Sequence, residues 1–566
     1  MRYHALACDY DETIASNGRV SERTIEALEN VRKSGRQLIL VTGRELDDLS
    51  SVFPRPELFN RIVAENGAVL YRPTTKEEQT LTQRPPDAFI RELIRRGAER
   101  VSVGRVIVAT RQPHETTALE VIRDFGLELQ VVFNKGAVMI LPSGVNKATG
   151  LRAALKELGL SPHNVVGVGD AENDHAFLEL CECSVAVQNA LPTLKEHVDW
   201  VTSQTDGDGV IELVQALTAT DLSLLQSHLH RKLCIGKQRD GRKVCLEPYG
   251  HNVLVTGTSG GGKSTLAMSF LERLEEQAYQ FLILDPEGDY PNAPAGVVLG
   301  DEKRSPSAAE VMEVLSKPEQ NATVNMVALT LEERPKFFEE LLPRVQELRA
   351  RTGRPHWIIL DESHHLLPSA WETAEVQISR RMSNYMLITL ESDRVLPSIV
   401  STMDIVIAVG EDPARMLKTF TETVGEMFPD ISQLTPKAGS ALIWLRNSGE
   451  PPFVFEPAMP YAELQRHRRK YAEGDLPPER SFYFRGPKGT LNLRAQNLTI
   501  FMQIADGVDD ETWLFHLRNG DIPQWFRDVI KDPELALEAD SVKDAGPHES
   551  RKHIRTEIER RYILAA

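Results

Sequence analysis

The sequence predicts an α/β protein: a doubly wound parallel sheet with a small inserted α/β cap, a second α/β domain and a small helical domain. Short apolar runs, such as residues 5–8, 38–41 and 165–168, each end in a polar cluster, and amphipathic helical stretches lie between them. That alternation is typical of parallel sheets, whose ligands bind at the carboxyl ends of the strands. At 566 residues the chain is also too long for a single hydrophobic core.

The domain limits follow from where this alternation begins, breaks and stops. The first series covers residues 1–215, and shorter strands with two helices interrupt it at 85–140, which predicts the cap. The second series covers residues 231–460. A charged connector at 461–480 ends in a Pro-Pro pair, and residues 481–566 hold helical stretches rich in aromatic side chains.

The composition is that of an ordinary globular protein, with 41% hydrophobic and 26% charged residues, but the net charge is -17. Proteins that bind a nucleic-acid backbone usually present a basic surface, because binding neutralises phosphates and releases counterions. The acidic balance therefore disfavours unaided nucleic-acid binding, although a local basic channel is compatible with it.

Compartment and membrane association are also predicted from composition. No apolar run is long enough to span a membrane, and the first residues lack the apolar stretch of a signal peptide. The five cysteines are too few and too scattered for a disulfide framework. Cys181 and Cys183 lack the partner pair of a zinc site, so we expect them to pack as ordinary core residues. These features predict a cytoplasmic protein without membrane segments.

Paired aspartates follow two predicted strands of the first domain. Asp9 and Asp11 follow the first strand, and Asp170 and Asp174 follow a later one. An aspartate at the end of a buried strand can attack phosphorus and form an acyl phosphate. A second carboxylate two residues later can protonate the leaving oxygen and then activate water. The pattern therefore indicates phosphate-ester hydrolysis.

That chemistry needs further groups around the three phosphoryl oxygens. Thr42 offers a hydroxyl at the end of another strand, and Lys147 offers a cation. Mg²⁺ suits a site made of oxygen ligands that keeps some of its waters. The predicted metal ligands are Asp9, Asp11, Asp170 and Asp174.

Six further strings in this domain share one order with a known family: residues 41–44 (VTGR), 64–68 (AENGA), 144–147 (GVNK), 169–174 (GDAEND), 187–190 (VQNA) and 206–210 (DGDGV). With residues 9–13 they resemble the haloacid dehalogenase (HAD) superfamily. The resemblance is to its capped phosphatases, which include Cof-like, phosphoglycolate and sugar-phosphate phosphatases.

The HAD resemblance implies specific roles. Asp9 would be the nucleophile and Asp11 the general acid and base. Thr42 and Lys147 would bind the phosphate, and the cap would dictate the substrate. Arg44 and Asn66 are candidates to face the substrate, and each could equally be a structural hydrogen-bonding residue.

Residues 257–265 read GTSGGGKST and follow the predicted strand 252–255. This matches the Walker A pattern, in which glycines let backbone N–H groups surround phosphates. Lys263 would reach the terminal phosphates and Ser264 would hold Mg²⁺. The predicted ATP-binding residues are Gly257, Gly260, Gly262, Lys263, Ser264 and Thr265.

The second half of a nucleotide site follows later in the chain. The apolar run 357–360 ends in Asp361 and Glu362. Asp361 would support the Mg²⁺ that Ser264 holds, and Glu362 would polarise the attacking water. With both halves present, the pattern predicts ATP hydrolysis rather than a glycine-rich loop of another kind.

Three strings around these motifs, at 235–242, 284–290 and 361–365, resemble the HerA/FtsK group of RecA-like, ring-forming ATPases. The resemblance implies a homo-oligomer, with a hexameric ring as the form to expect, and many members of the group move DNA. Two departures weigh against translocation. Residues 388–392 read ITLES where the group usually carries a Thr-Gln pair, and its amino-terminal β-barrel is at most a short hairpin here.

Two residue pairs near the Walker motifs have no assigned role. Arg380 and Arg381 are candidates for an arginine finger, although a solvated helix face explains them equally well. His364 and His365 follow Glu362, but adjacent histidines point apart and a third metal ligand is not evident. We therefore expect the two histidines to have structural roles.

Residues 481–566 contain the strings 482–487 (FYFRGP), 507–513 (GVDDETW), 516–521 (HLRNGD) and 525–530 (WFRDVI). With these strings the region resembles a small helical domain of unknown function that recurs in bacteria and archaea. Aromatic residues at helical spacing are more often core than binding face, so we expect most of them to be buried. The charged residues His516, Arg518, Asp521 and Arg527 could form a recognition site, but no spacing among them requires chemistry.

Together these features predict a Mg²⁺-dependent phosphatase for a phosphorylated small molecule, coupled to or regulated by an ATPase that oligomerises. The leading alternative is a ring-forming nucleic-acid translocase whose phosphatase acts on nucleic-acid ends or nucleotides, in genome maintenance or antiviral defence. A third interpretation is a nucleotide sensor with little turnover, against which Glu362 argues because a sensor does not need a water-activating carboxylate.

Overall fold

The computed structural model describes residues 1–563 apart from 135, 224, 226–230, 291–295, 370–382, 433, 435, 438, 462–470, 473–475, 477 and 531. Arg380, Arg381 and most of the predicted connector therefore lie outside the described residues. The chain forms two compact units, one of residues 1–264 and 273–456 and the other of residues 265–272 and 457–566. The first unit holds both large sheets, and the predicted α/β class is confirmed.

The first sheet has eight strands, of which six are parallel and the last two antiparallel. Its central strand is apolar and buried at every position, as expected where helices cover a parallel sheet. In sheet order the strands are Trp200–Val201, Cys183–Ala186, Val165–Gly169, Ala5–Cys8, Gln37–Val41, Arg61–Ala64, Val69–Arg72 and Glu77–Thr80.

Two helices of this domain begin at side-chain caps that the sequence supplies, Ser21 and Asn146. Ser21 Oγ accepts from the backbone N–H of Thr24, and this bond starts the first helix. The helices are Glu22–Lys33, Leu46–Val52, Lys147–Leu158, His175–Leu180, Pro192–Lys195 and Asp206–Thr220. Single 3₁₀ turns occur at Pro56–Leu58, Glu65–Gly67, Pro162–Asn164 and Glu172–Asp174.

The inserted cap is a four-stranded antiparallel sheet with two helices, Asp87–Arg95 and Glu115–Phe125. The helices have their own apolar core with this sheet, which includes Phe89, Leu93 and Val121. In sheet order the strands are Ser102–Val103, Val108–Arg111, Ala137–Pro142 and Leu129–Asn134. The cap sheet therefore extends two residues beyond the predicted limit of 140.

The second sheet has eleven strands, and the seven at one end are parallel. In sheet order the strands are Lys243–Leu246, Leu233–Lys237, Phe453–Pro457, Ala441–Leu445, Ile405–Val409, Val253–Gly257, Tyr385–Thr389, Trp357–Leu360, Phe281–Asp285, Asn321–Asn325 and Gly296–Leu299. The helices of this part are Lys263–Glu276, Ala308–Ser316, Glu333–Thr352, Pro397–Val400 and Pro413–Val424, with 3₁₀ turns at Ser363–His365 and Ser392–Arg394.

One cysteine pair departs from the sequence expectation. Cys234 and Cys245 face each other in the hairpin formed by Leu233–Lys237 and Lys243–Leu246, and they form a disulfide. Sequence spacing did not reveal this link, because only the strand register places the two residues opposite one another. Cys181 and Cys183 are buried free thiols, consistent with ordinary packing.

The second unit is mainly helical and has a two-stranded antiparallel sheet, Phe482–Phe484 with Leu493–Ala495. Its described helices are Leu498–Gly507, Asp510–Arg518, Asp521–Trp525, Pro533–Ser541 and Pro547–Ile558, with a 3₁₀ turn at Pro478–Arg480 and π-helical turns at Phe526–Ile530 and Glu559–Ile563. Aromatic side chains such as Trp513 and Phe526 are buried in its core, as expected. Across the described residues, no helix is both long enough and apolar enough to cross a membrane.

His516 has a structural role in this unit. Its Nε2 accepts from the backbone N–H of Arg485 at 2.9 Å, and its Nδ1 lies 2.7 Å from Asp521 Oδ2. Both ring nitrogens are therefore engaged inside the domain. The structure removes His516 from the candidate recognition residues, because a partner could bind its ring only by breaking these bonds.

Candidate functional site

Three buried carboxylates meet at the carboxyl edge of the first sheet. Asp9 follows the strand Ala5–Cys8, and Asp170 and Asp174 follow the neighbouring strand Val165–Gly169. One carboxylate oxygen from each lies within 4.8 Å of the other two, and each residue is at most 4% exposed. Because like charges repel strongly at this distance in a water-poor site, the cluster needs a compensating cation.

Lys147 supplies part of that positive charge. Its Nζ lies 2.6 Å from Asp174 Oδ1 and also donates to Asp9 Oδ1, and its side chain is 1% exposed. Lys147 is the first residue of its helix, whose amino end is fixed by a capping box between Asn146 and Thr149. The capping box therefore fixes the helix end from which the Lys147 side chain extends.

Burial and charge together set the protonation of this cluster. Burial and the nearby Asp174 raise the pKa of Asp9 above its ordinary value, and Lys147 opposes the shift. Burial alone would lower the pKa of Lys147, but Asp174 and Asp9 raise it above its ordinary value. A divalent cation would favour the charged carboxylates and lower the pKa of Asp9 again. The donor set fits Mg²⁺, which prefers carboxylate and water oxygens.

Asp11, predicted as a further metal ligand, is placed differently. Its carboxylate accepts two hydrogen bonds from Arg44, at 2.8 Å from Nε and 2.6 Å from Nη2, and is 38% exposed. Arg44 Nη1 also donates to Asp48 at 2.6 Å. The side chain of Asp11 thus lies outside the group formed by Asp9, Asp170 and Asp174, because a bidentate arginine pair holds it.

Thr42 ends the strand next to the one that Asp9 follows. Cys8 pairs with Leu40, so the ends of the two strands are adjacent. Thr42 is fully buried, and its Oγ1 accepts from the backbone N–H of Arg44 at 3.1 Å. The structure therefore brings Thr42 to the same edge of the sheet as Asp9.

Asn66 and Asn173 join two loops at this edge. Asn173 Nδ2 donates to Asn66 Oδ1 at 3.0 Å, and both residues are buried. Asn66 was expected either to face the substrate or to form structural hydrogen bonds, and the structure shows it in a hydrogen bond. Within the described part of the chain Asn173 Oδ1 has no hydrogen-bond partner, so this buried acceptor is open to a ligand.

Two further residues at this edge, Thr13 and Glu65, have contacts that their sequence motifs did not indicate. Thr13 Oγ1 donates to Asp170 Oδ1 at 3.2 Å and so orients one of the three carboxylates. Glu65 is fully buried, and its carboxyl group accepts hydrogen bonds from backbone N–H groups of the cap. The sequence signal for Glu65 was its position directly after a buried strand and before an Asn-Gly pair.

The predicted P-loop connects the strand Val253–Gly257 to the helix Lys263–Glu276. Gly260 and Gly262 have φ values of 72° and 98°, a left-handed conformation that favours glycine. Lys263 is 6% exposed, and its Nζ donates to the carbonyl oxygens of Gly257 at 3.0 Å and Thr258 at 3.3 Å. The lysine is thus held over the loop, where a phosphate group would meet it.

Ser264 and Thr265 lie in the first turn of that helix. At the other end of the loop, a Cβ at Gly257 would come within 2.3 Å of the Val409 carbonyl oxygen. The close approach explains why glycine occupies position 257. With left-handed glycines, a buried lysine and a helix amino terminus, the loop fits the triphosphate of a nucleotide.

Asp361 and Glu362 directly follow the strand Trp357–Leu360. Asp361 is 2% exposed, and burial raises its pKa to about 7 although the backbone N–H of Glu362 donates to it. Burial also raises the pKa of Glu362, while Lys263 lowers it. The φ of Glu362 is 37°, a left-handed value that is strained for a non-glycine residue.

The two adjacent histidines have separate partners. His364 Nδ1 lies 3.3 Å from Thr389 Oγ1, and His365 Nδ1 lies 3.1 Å from an Arg334 guanidinium nitrogen. Burial, and to a smaller extent the neighbouring His365, lower the pKa of His364 to about 4. The histidines therefore support this loop through protein contacts, as expected.

The two sheets of the first unit are joined through the buried carboxylate of Glu182, whose side chain is 1% exposed. Glu182 accepts from Arg2 at 2.7 Å, from Arg231 at 2.8 Å and from Tyr279 Oη at 3.1 Å, and it lies 2.7 Å from His163 Nδ1. The ring of His163 stacks on that of Tyr279 with centroids 3.8 Å apart. Tyr279 belongs to the P-loop domain, so these bonds connect the two domains.

A second set of bonds lies beside this Glu182 contact. Arg354, fully buried, donates to the Gly159 carbonyl oxygen at 2.6 Å and to Gln280 Oε1 at 2.7 Å. His356 Nε2 lies 3.2 Å from Asn164 Oδ1. These residues precede parallel strands of their sheets, whereas the carboxylate cluster and the P-loop lie at the carboxyl edges. The contact therefore joins the edges opposite to the two candidate sites.

The Glu182 contact predicts a loss of stability in acid. Burial and the nearby His163 keep the pKa of His356 well below its ordinary value, and burial holds the pKa of His4 at about 4. Since the unfolded chain takes up these protons near pH 6.5, each histidine should remove about 1.4 kcal/mol of unfolding free energy per pH unit below that value. Glu182, whose pKa its cationic partners lower, adds to the loss below its unfolded value near pH 4.

Urea unfolding at pH 7, 6 and 5 checks this dependence. His356→Asn should reduce the slope of unfolding free energy against pH, while the exposed His548→Asn should leave the slope unchanged. An identical slope in wild type and His356→Asn would show that His356 does not titrate in the way its burial implies.

Comparisons with known proteins give two separate families for the two domains. Residues 6–100 and 103–214 match the family described as haloacid dehalogenase-like hydrolase. Residues 249–402 match the family described as AAA domain. The second match begins just before the P-loop strand and ends after the strand Tyr385–Thr389.

Relatives of the first domain are matched along almost their whole length. A phosphoglycolate phosphatase of Methanothermobacter thermautotrophicus is 33% identical over 221 residues, which are 37% of this chain and 97% of the relative. Phosphoglycolate phosphatase 2 of Saccharolobus solfataricus is 30% identical over 220 residues, 38% of this chain and 91% of the relative. A solved haloacid dehalogenase-like hydrolase of Bacteroides thetaiotaomicron is 20% identical, with a TM-score of 0.34, and the match covers 38% of this chain and 99% of that one.

Proposed function

Since this chain belongs, through residues 6–214, to the haloacid dehalogenase-like hydrolases, we propose that it is a Mg²⁺-dependent phosphomonoester phosphatase regulated by its P-loop ATPase domain. The observation that carries the proposal is the buried group of Asp9, Asp170 and Asp174 with Lys147 among them. We propose phosphoglycolate or a similar small phosphorylated carboxylic acid as the substrate, because the two matched archaeal relatives are phosphoglycolate phosphatases.

In the proposed reaction Asp9 attacks phosphorus, the bond from phosphorus to the ester oxygen breaks, and an aspartyl phosphate forms. Asp11 gives a proton to the leaving oxygen and then takes one from the water that hydrolyses the intermediate. Lys147 and Thr42 hold the phosphoryl oxygens. Mg²⁺ bound by the Asp9, Asp170 and Asp174 carboxylates would supply charge stabilisation for these oxygens.

Arg44 is a positioning residue in this proposal. Its bidentate bonds hold the Asp11 carboxylate beside the site without placing it in the metal group. The two bonds occupy both carboxylate oxygens, so proton exchange between Asp11 and the leaving group requires Arg44 to release one of them. The position of Asp11 outside the group of Asp9, Asp170 and Asp174 is compatible with the proposed acid and base role.

For the second domain we propose ATP hydrolysis with the triphosphate on residues 257–265. Lys263 binds the terminal phosphates, Ser264 and Asp361 support Mg²⁺, and Glu362 polarises the attacking water. A HerA-like ring of about six copies is the assembly we propose, on the resemblance of residues 235–242, 284–290 and 361–365 to that group of ATPases. The net charge of -17 makes nucleic-acid translocation the second candidate rather than the first.

We place this protein in the cytoplasm, where ATP and small phosphate esters are available. The Cys234–Cys245 disulfide is a feature that a reducing compartment does not favour, and the hairpin that carries it is outside both proposed sites. Neither proposed reaction uses a cysteine.

Coupling between the two activities rests on the Glu182 contact. It connects residues before the strand Phe281–Asp285 to residues before the strands Val165–Gly169 and Cys183–Ala186. A change at the nucleotide can then reach the phosphatase sheet through packed strands and buried hydrogen bonds.

The experiment that tests the proposal is phosphate release from small phosphomonoesters with Mg²⁺, with and without a non-hydrolysable ATP analogue. We expect phosphoglycolate to be hydrolysed and the analogue to change its kcat/KM about fivefold, a typical coupling between sites. Tyr279→Phe, which removes the phenol bonded to Glu182 but keeps the ring, should reduce the response to the analogue.

The outcomes separate the parts of the proposal. Hydrolysis without a response to the analogue would refute regulation and leave the phosphatase in place. Absence of turnover on every ester, together with ATP hydrolysis stimulated by DNA, would favour the nucleic-acid alternative.

A further inference from the structure

The turn Glu65–Gly67 has an unusual backbone. Its three residues have φ values of 50°, 54° and 104°, so three successive residues are left-handed and two of them are not glycine. Such conformations cost about 1–3 kcal/mol each for non-glycine residues and persist where surrounding contacts fix them. The turn directly follows the strand Arg61–Ala64, at the same carboxyl edge as Asp9.

Glu65 binds a loop of the cap through its carboxylate. Oε1 accepts from the backbone N–H of Arg105 at 2.8 Å, and Oε2 accepts from Val106 at 2.8 Å and Ile107 at 2.9 Å. Glu65 is fully buried, and a Cβ at Gly104 would come within 2.6 Å of Oε1. Residues 104–107, here the cap loop, therefore wrap around this one carboxylate.

The cap loop is inserted into the core of the first domain. Val106 and Ile107 are at most 2% exposed and belong to the same apolar cluster as the strands of the first sheet. Met139, from another cap strand, belongs to that cluster as well, and its Sδ lies near Gly43. The cap is thus seated on the edge of the sheet that carries the proposed active site.

The other residues of the turn contact the phosphate-binding motifs. The backbone N–H of Asn66 donates to the Thr42 carbonyl oxygen at 3.0 Å, and its side chain accepts from Asn173. A Cβ at Gly67 would lie 1.9 Å from the carbonyl oxygen of Asn146, the residue before Lys147. One short turn therefore contacts the cap and three loops around the site.

We propose that Glu65 is a positioning residue, which fixes the cap loop at the Asp9 site and so sets how the cap recognises the non-phosphate part of the substrate. The inference rests on the proposed phosphatase function. Three backbone donors converge on two oxygens, and a carboxylate satisfies them where the amide of glutamine would turn one NH₂ toward a donor.

The test compares Glu65→Gln and Gly104→Ala with wild type, using phosphoglycolate as substrate and inorganic phosphate as competitive inhibitor. Gly104→Ala leaves Glu65 in place but crowds its carboxylate. Because small misplacements of substrate-positioning groups have large effects, we expect KM for phosphoglycolate to rise about tenfold in both variants. The inhibition constant of phosphate, which does not contact the cap in this proposal, should stay unchanged.

Glu78→Gln is the matched control, since the exposed Glu78 side chain also pairs with Arg105, which lies on the cap loop. It should leave KM unchanged, and ATP turnover should confirm that every variant is folded. An unchanged KM in both Glu65→Gln and Gly104→Ala would overturn the inference. Equal shifts in KM and in phosphate inhibition would also overturn it, because the effect would then lie in the phosphate site.

Limited trypsin digestion gives a readout that does not depend on turnover. The bond after Arg105 is protected in wild type because the Val106 N–H is bonded to Glu65, and Glu65→Gln should be cut there faster. The digestion therefore tests the contact between Glu65 and the cap loop independently of the proposed phosphatase function. If phosphoglycolate is not hydrolysed at all, equal cleavage of wild type and Glu65→Gln would still refute the placement of the cap by Glu65.

Discussion

Asp9→Asn is expected to abolish phosphate release from phosphoglycolate and every other monoester while ATP turnover continues. The amide has nearly the shape of the carboxylate, but it is not a nucleophile toward phosphorus and cannot form the acyl phosphate. Loss of a covalent nucleophile lowers kcat by about ten-thousand-fold or more, so residual turnover should be close to background. Phosphate release and ATP hydrolysis, measured on one preparation, check this result.

The matched control for Asp9→Asn is Asp124→Asn. Asp124 is an exposed cap residue paired with Arg96 on the surface, so its replacement should change neither activity. Retained phosphatase activity in Asp9→Asn would show that another group attacks phosphorus and would refute the proposed site. Simultaneous loss of ATP turnover would instead show that the phosphatase domain is required for the ATPase.

Lys263→Ala is expected to give the converse result. The Lys263 ammonium is the buried cation of the P-loop and is held by the carbonyl oxygens of Gly257 and Thr258. Without it, charge that develops on the terminal phosphates is not neutralised, and ATP turnover should fall about 100- to 1,000-fold. Phosphoglycolate hydrolysis should continue, but its response to the ATP analogue should weaken because the analogue binds less tightly.

Lys237→Ala serves as the control, since Lys237 is an exposed lysine of the hairpin before the P-loop strand. It should retain ATP turnover and the response to the analogue. If Lys263→Ala turned over ATP at the wild-type rate, residues 257–265 would not be the nucleotide site. If it lost phosphatase activity completely, the phosphatase would depend on bound nucleotide rather than being adjusted by it.

The opposite placement of the two sites limits how they can communicate. Both lie at carboxyl edges of parallel strands, and the Glu182 contact joins the amino edges. Each strand between contact and site has four or five residues, so coupling would act over about 13–17 Å of strand on each side. Direct transfer of phosphate between the sites is incompatible with this arrangement within one chain.

The motifs were readable from sequence because each depends on local rules. A buried strand followed by a polar cluster fixes where Asp9, Thr42 and Asp170 emerge, and parallel strands bring their carboxyl ends to one edge. The glycine pattern of residues 257–265 likewise defines a P-loop without knowledge of its surroundings. The fold class and the grouping of Asp9, Asp170, Asp174 and Lys147 could therefore be predicted from the chain alone.

Other features depend on contacts between residues far apart in sequence, which spacing does not encode. Asp11 pairs with Arg44 rather than joining the group of Asp9, Asp170 and Asp174, and Glu65 binds backbone groups of the cap loop. Cys234 meets Cys245 through hairpin register. In each case a short motif allowed several partners, and the packing of separate elements selected one.

Local sequence patterns are enough to place chemical groups after strands: the aspartates of the first domain and the P-loop of the second. The partners of those groups and the connection between the domains follow from the packing of distant segments. Glu182 shows the reason, because nothing near it in sequence distinguishes it from a surface glutamate. It is buried only when Arg2, His163, Arg231 and Tyr279, from four distant segments, surround it, and their hydrogen bonds offset the cost of burying its charge.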